Sequence, residues 1–171
     1  MSIDYSLELA NSGIDENLIK KVLSDMSIKV LKTGELEMGF YFYEFNPDIK
    51  MDITFIEKPN YPEEDPENSF ETMFRVCDFY CNSRLTYRFH KFVDEGECII
   101  QYKVMLSSVM ELARISNKEA LFTSNGEDTF FYKNGVFFFE KDAYDFYMDN
   151  QRPYKAILEK YSCVEFDGKH L

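Results

Sequence analysis

Asn-Gly occurs twice in this chain, nine residues apart, and each pair lies between residues that favour extended backbone. The stretch runs Ala120-Leu121-Phe122-Thr123-Ser124, Asn125-Gly126, Glu127-Asp128-Thr129-Phe130-Phe131-Tyr132-Lys133, Asn134-Gly135, Val136-Phe137-Phe138-Phe139-Glu140. A two-residue type I′ turn needs positive φ at both central positions, so Asn-Gly between such runs is the strongest local hairpin signal. Two in succession predict a three-stranded antiparallel meander over residues 119–140. They also set its register: Ser124 opposite Glu127, Lys133 opposite Val136, and Tyr132 opposite Phe137.

The other elements follow from hydrophobic period. Residues 3–9 alternate apolar and polar, the pattern of a half-buried strand, and Asn11-Ser12-Gly13 breaks it. Beyond Asp15, the spacing of Leu18, Ile19, Val22 and Leu23 predicts an amphipathic helix over 16–26. Ile28 to Leu31 reads as a short strand ended by Thr33-Gly34. Met38 to Phe45 is β-favouring on both faces, either a central strand or one with an exposed Tyr face. Met51 to Ile56 places Met51, Ile53 and Phe55 on one side. Residues 58–69 hold three Pro and four acids in twelve positions and read as an exposed loop. Residues 70–81 fit a helical face through Phe70, Phe74, Cys77 and Cys81 and also fit a strand, which is the preferred reading. Arg84 to Phe92 alternates, with Leu85, Tyr87, Phe89 and Lys91 on one face and Arg84, Thr86, Arg88 and His90 on the wet one. Asp94 as N-cap and Glu97 three residues on form a capping box. They open a helix over 95–115 whose apolar stripe, centred on Leu106, should lie across the sheet. Short helical turns are expected at 142–149 and 154–161, and the last ten residues carry no assigned element. The expected fold is α+β, one domain over 1–171, with a mainly antiparallel sheet of six to eight strands and the 95–115 helix packed on one face near the 16–26 helix.

A chain of 171 residues buries about 70% of its unfolded surface, enough for a core without disulfides or metal. Acidic residues number 31 against 19 basic, a net of −12. That field disfavours nucleic acid and anionic lipid and favours a cationic partner. Seventeen Phe and twelve Tyr fill a sheet-on-helix core and also suit a contact face. The four cysteines do not read as a secreted disulfide framework, Met1-Ser2-Ile3-Asp4 does not read as a signal peptide, and no window approaches 18 apolar residues. A cytoplasmic location is the expectation.

Chemistry is sparse. Of two histidines, His90 falls on the polar face of a strand and His170 is penultimate. A dyad of His90 with Cys77 or Cys81 would need neighbouring strands to bring them together, and ordinary half-buried cysteines are the simpler reading. Cys77-x-x-x-Cys81 has no second pair to complete a zinc site. Glu95/Glu97 and Asp142/Asp145 read as acids at helix starts. Glu63-Glu64-Asp65 lacks the pattern of a calcium loop. There is no phosphate-binding loop. The aromatic strands at 40–45 and 137–139 would need a basic rim to stack nucleic acid, and the chain is rimmed by acid. No catalytic residue, metal or cofactor is assigned. The residues placed at a partner-contact surface are Glu63, Glu64, Asp65 and Glu67, with Tyr41 and Tyr43 as aromatic anchors.

Three passages carry a family likeness: Asp4-Tyr5-Ser6-Leu7-Glu8-Leu9; Tyr87-Arg88-Phe89-His90-Lys91-Phe92 leading into the long helix; and Glu119-Ala120-Leu121-Phe122-Thr123-Ser124-Asn125-Gly126-Glu127 entering a further hairpin. Over residues 3–140 the chain resembles the Sit-type immunity proteins, partners that protect bacteria from swarming-inhibition and related polymorphic toxins. The 58–69 loop and the 40–45 strand lie outside that pattern. The resemblance implies a non-enzymatic protein that binds one cognate toxin and blocks its active surface; the charge balance adds the expectation that this toxin is basic, with no nucleic acid and no membrane involved. The competing readings are a generic non-enzymatic binding or regulatory module and a hydrolase using carboxylates in a cleft.

Overall fold

Residues 4–10, 13–57 and 81–166 are described by the computed structural model, and their strands join in one sheet. In chain order the elements are β1 (Asp4–Leu9), α1 (Glu16–Asp25), β2 (Lys29–Leu36), β3 (Gly39–Asn46), β4 (Met51–Glu57), β5 (Ser83–Phe89), α2 (Glu95–Ser116), β6 (Ala120–Ser124), β7 (Glu127–Lys133), β8 (Val136–Phe139), α3 (Lys141–Met148), α4 (Lys155–Leu158) and β9 (Ser162–Glu165). The nine strands lie in the order β2-β3-β4-β5-β1-β6-β7-β8-β9. Neighbours are antiparallel except β8 and β9, which run parallel. The fold class is α+β.

The double hairpin forms as its turn chemistry demands. Asn125, Gly126, Asn134 and Gly135 all take positive φ, between 51° and 83°. Ser124 pairs with Glu127, Lys133 with Val136 and Tyr132 with Phe137. The long helix begins on a complete capping box: the Asp94 side chain accepts from the Glu97 amide at 2.8 Å, and Glu97 accepts from the Asp94 amide at 3.1 Å. Asp15 caps α1 by accepting from the Leu18 amide.

The buried residues of all four described helices share a single core with one face of the sheet. Tyr5, Leu7 and Leu9 of β1, Leu85 and Tyr87 of β5, Met51, Ile53 and Phe55 of β4, and Phe130 of β7 project into it. Leu106 and Val109 of α2 lie at its centre, fully buried. Tyr87 and Ser108 are both inaccessible, and their hydroxyls share a 2.7 Å hydrogen bond that pins α2 to β5. Burying those hydroxyls without partners would be costly.

Two strand boundaries need correction, and the sheet carries one strand beyond the expected range. The sheet has nine strands among the described residues, against about six to eight expected. The uncounted strand is β9, four residues long, which adds in parallel at the far edge after α3 and α4. Thr33-Gly34 does not end β2; the strand runs on to Leu36 through a register shift near Lys32. The strand at 84–92 leaves the sheet at Phe89, so His90 and Lys91 do not belong to it, and Phe92 stands fully exposed at φ 63°. The preferred strand at 70–81 and the acidic loop at 58–69 lie outside the described residues, save Cys81, which precedes β5 without strand geometry.

Candidate functional site

Because the described helices gather on one face, the opposite face of β3, β4, β5 and β1 presents its side chains in cross-strand rows. Strand side chains alternate between faces, and register decides which of them meet. Asp52 pairs across with Arg88, and Arg88 with Asp4. Tyr43, the next residue beyond the β3–β4 ladder on this face, heads that row. The second row runs Gly34, Tyr41, Thr54, Thr86, Ser6 and Thr123. The third runs Gly39, Ile56, Arg84, Glu8, Leu121 and Phe131.

The first row, the second from Tyr41 to Ser6, and Ile56 and Arg84 of the third line a groove of about 590 Å³, open to solvent. Its floor is polar (Asp4, Ser6, Thr54, Thr86), and Tyr41 and Tyr43 form one wall with ring centroids 5.5 Å apart. Tyr41 rests over Gly34: a Cβ at that position would collide with the Tyr41 ring. The glycine seats the aromatic, and Tyr41 is half-buried as a result, whereas Tyr43 is exposed. Of the two predicted anchors, therefore, one is seated over a glycine and the other is exposed beside it.

Charge in the groove is arranged in pairs. Arg88 holds Asp4 through two hydrogen bonds, Nε to Oδ1 at 3.0 Å and a terminal nitrogen to Oδ2 at 3.1 Å, and this pairing raises the guanidinium's pKa. Asp52 has His90 Nε2 at 3.3 Å on its other side. Ser6 and Thr86 hydroxyls lie 3.3 Å apart.

Beside the groove, next to Arg84 in the third row, Glu8 is almost wholly inaccessible on the face of β1 that alternation makes polar. Arg84 Nε donates to it at 2.5 Å and the Cys81 thiol at 3.0 Å. Burial pushes the Glu8 carboxyl up, against the downward pull of Arg84 and of the thiol. Burial and the adjoining Glu8 carboxylate push the Cys81 thiol up as well, which opposes formation of a thiolate nucleophile. Cys81 thus serves Glu8 and the Ser83 carbonyl, and His90 serves Asp52; no contact joins Cys81 to His90 among the described residues. Nor do any three His, Cys, Asp or Glu side chains gather into a possible metal site among the described residues.

No family model, curated protein or solved structure matches this chain. The site therefore rests on its own geometry. Tyr41 and Tyr43, the two tyrosines assigned as aromatic anchors, both line the groove. Glu63, Glu64, Asp65 and Glu67, the acids assigned beside them, lie outside the described residues. The companions the structure gives the tyrosines are Asp52, Thr54, Thr86, Arg88, Ser6 and Asp4, which the sequence analysis did not single out for contact. The wet face of β5 was readable from its alternation. Its convergence with β1, some eighty positions earlier, depends on strand order, which local pattern does not carry. No described helix is long and apolar enough to cross a membrane.

Proposed function

We propose that this chain is an immunity-type inhibitor that binds one cognate bacterial toxin stoichiometrically and masks the surface the toxin works with. The observation that carries the proposal is the open groove on the sheet face away from the described helices, where a seated Tyr41, an exposed Tyr43, a row of hydroxyls and paired charges form a shallow relief. Tyrosine offers large contact area with few rotors, and short hydroxyl side chains adapt their hydrogen bonds to a partner, a combination suited to recognising proteins. Three further supports come from the sequence: the likeness to Sit-type immunity proteins, the net charge of −12, and the acidic stretch at 58–69. A strongly negative inhibitor gains association rate toward a basic toxin through electrostatic steering. The proposed partner is such a toxin, met in the cytoplasm.

Co-expression with a toxin encoded by a neighbouring gene, where one is found, should restore growth, and the two proteins should sediment as a complex of one copy each. Failure to protect despite soluble expression, or turnover of a substrate by the purified chain, would sink the reading.

A further inference from the structure

The first cross-strand row of the open face alternates in sign but stops one charge short. From β1 outward it runs Asp4, Arg88, Asp52, then the ring of Tyr43. Arg88 is committed to Asp4 by its two hydrogen bonds, and Arg84 of the third row is committed to Glu8. Among the described residues Asp52 has an imidazole nitrogen at 3.3 Å, a group able to donate a hydrogen bond without carrying charge, and it feels Arg88 across the row without a hydrogen bond to it. The row therefore holds two carboxylates for one guanidinium, and the carboxylate in excess lies beside an exposed aromatic ring.

We infer that the Tyr43–Asp52 end of the groove is a subsite for an arginine side chain of the protein partner. A guanidinium there would lie against the Tyr43 ring, with Tyr41 beside it, and donate to Asp52, extending the alternation of charges by one position. Guanidinium suits the place better than ammonium: it is planar, stacks on aromatic faces and binds carboxylates with a fork of donors. Asp52 and Tyr43 are both accessible, so an incoming side chain reaches them without displacing the core. The seat of Tyr41 over Gly34 holds the inner part of the wall in place before any partner arrives. The inference deepens the proposed inhibitor function, since it names the chemistry by which the open face would grip a basic toxin.

The probe is N-acetyl-arginine amide, titrated into the full chain and followed by NMR, with N-acetyl-citrulline amide as its uncharged counterpart. Saturable shifts at Tyr43, Asp52 and Thr54 are expected with the arginine compound, about tenfold weaker binding with citrulline, and a similar loss in Asp52→Asn. Tyr43→Leu should weaken binding while leaving the spectrum of the core unchanged. Equal responses to both compounds, an unaltered Asp52→Asn, or silence at the groove in a folded protein would each overturn the subsite. Toxin protection is a separate readout. Protection without arginine binding removes the subsite and leaves the inhibitor reading standing; arginine binding without protection does the reverse.

Discussion

Two glycines of the β2–β3 hairpin perform different tasks, and substitution separates them. A methyl group at Gly34 would meet the far end of the Tyr41 side chain, which can swing away. Gly34→Ala should therefore leave stability within about 1 kcal/mol of the parent while unseating Tyr41, visible as altered ring and amide shifts at residues 34 and 41. A methyl group at Gly39 would instead overlap the Phe55 carbonyl oxygen, part of the backbone of β4. Gly39→Ala should cost more, roughly 1–3 kcal/mol in chemical denaturation. Glu8 is the other informative residue. Its carboxyl is held above the ordinary range by burial, so the native state binds that proton more tightly than the unfolded chain does. The associated stability is fully present below the unfolded pKa of about 4.3 and is lost as pH rises through the folded value. Relative to wild type, the melting temperature of Glu8→Gln should therefore climb as pH rises through that interval and level off above it. A difference that stays flat from pH 4 to 7 would mean that Arg84 offsets burial fully.

Among elements, those written in local code were legible and those completed by distant partners were not. Helices α1 and α2 announced themselves through Asp15, through the Asp94/Glu97 box and through a 3.6-residue apolar period, and both formed within a residue or so of expectation. The two Asn-Gly turns dictated the register of β6, β7 and β8. By contrast, β9 holds only Ser162 to Glu165, and what makes it a strand is the edge of β8, delivered by two intervening short helices. Gly34 misled because glycine within a strand resembles a terminator until the aromatic across from it is known. Glu8 misled because alternation predicts which face a residue takes, not what lies over that face. The long helix offers the sharpest test at this scale. Leu106 is inaccessible at the centre of the core, and Leu106→Asp should cost several kcal/mol, about 3–5, by burying a charge with no partner. Thermal melting followed by circular dichroism would read it.

For the whole molecule the question is how a net charge of −12 divides between attraction and grip. The groove holds two acids, Asp4 paired with Arg88 and Asp52 beside His90, so most of the long-range pull comes from elsewhere on the chain. Replacing Glu63, Glu64, Asp65 and Glu67 with Ser or Gln should slow association with a basic partner and flatten its dependence on salt, leaving dissociation nearly unchanged. Stopped-flow mixing at several ionic strengths measures both. Unchanged association in that variant would take the loop out of the account. The position of β1 carries one more consequence. It lies between β5 and β6 and is the seam joining a four-stranded block, β2 to β5, to another, β6 to β9. Lifted out, it would leave a slot flanked by two rows of unsatisfied amides and carbonyls, and with it would go Asp4 and Ser6 from the groove. A free peptide of that sequence is then the natural key for the slot, and a shortened chain waiting for it would regain fold and contact face in a single step.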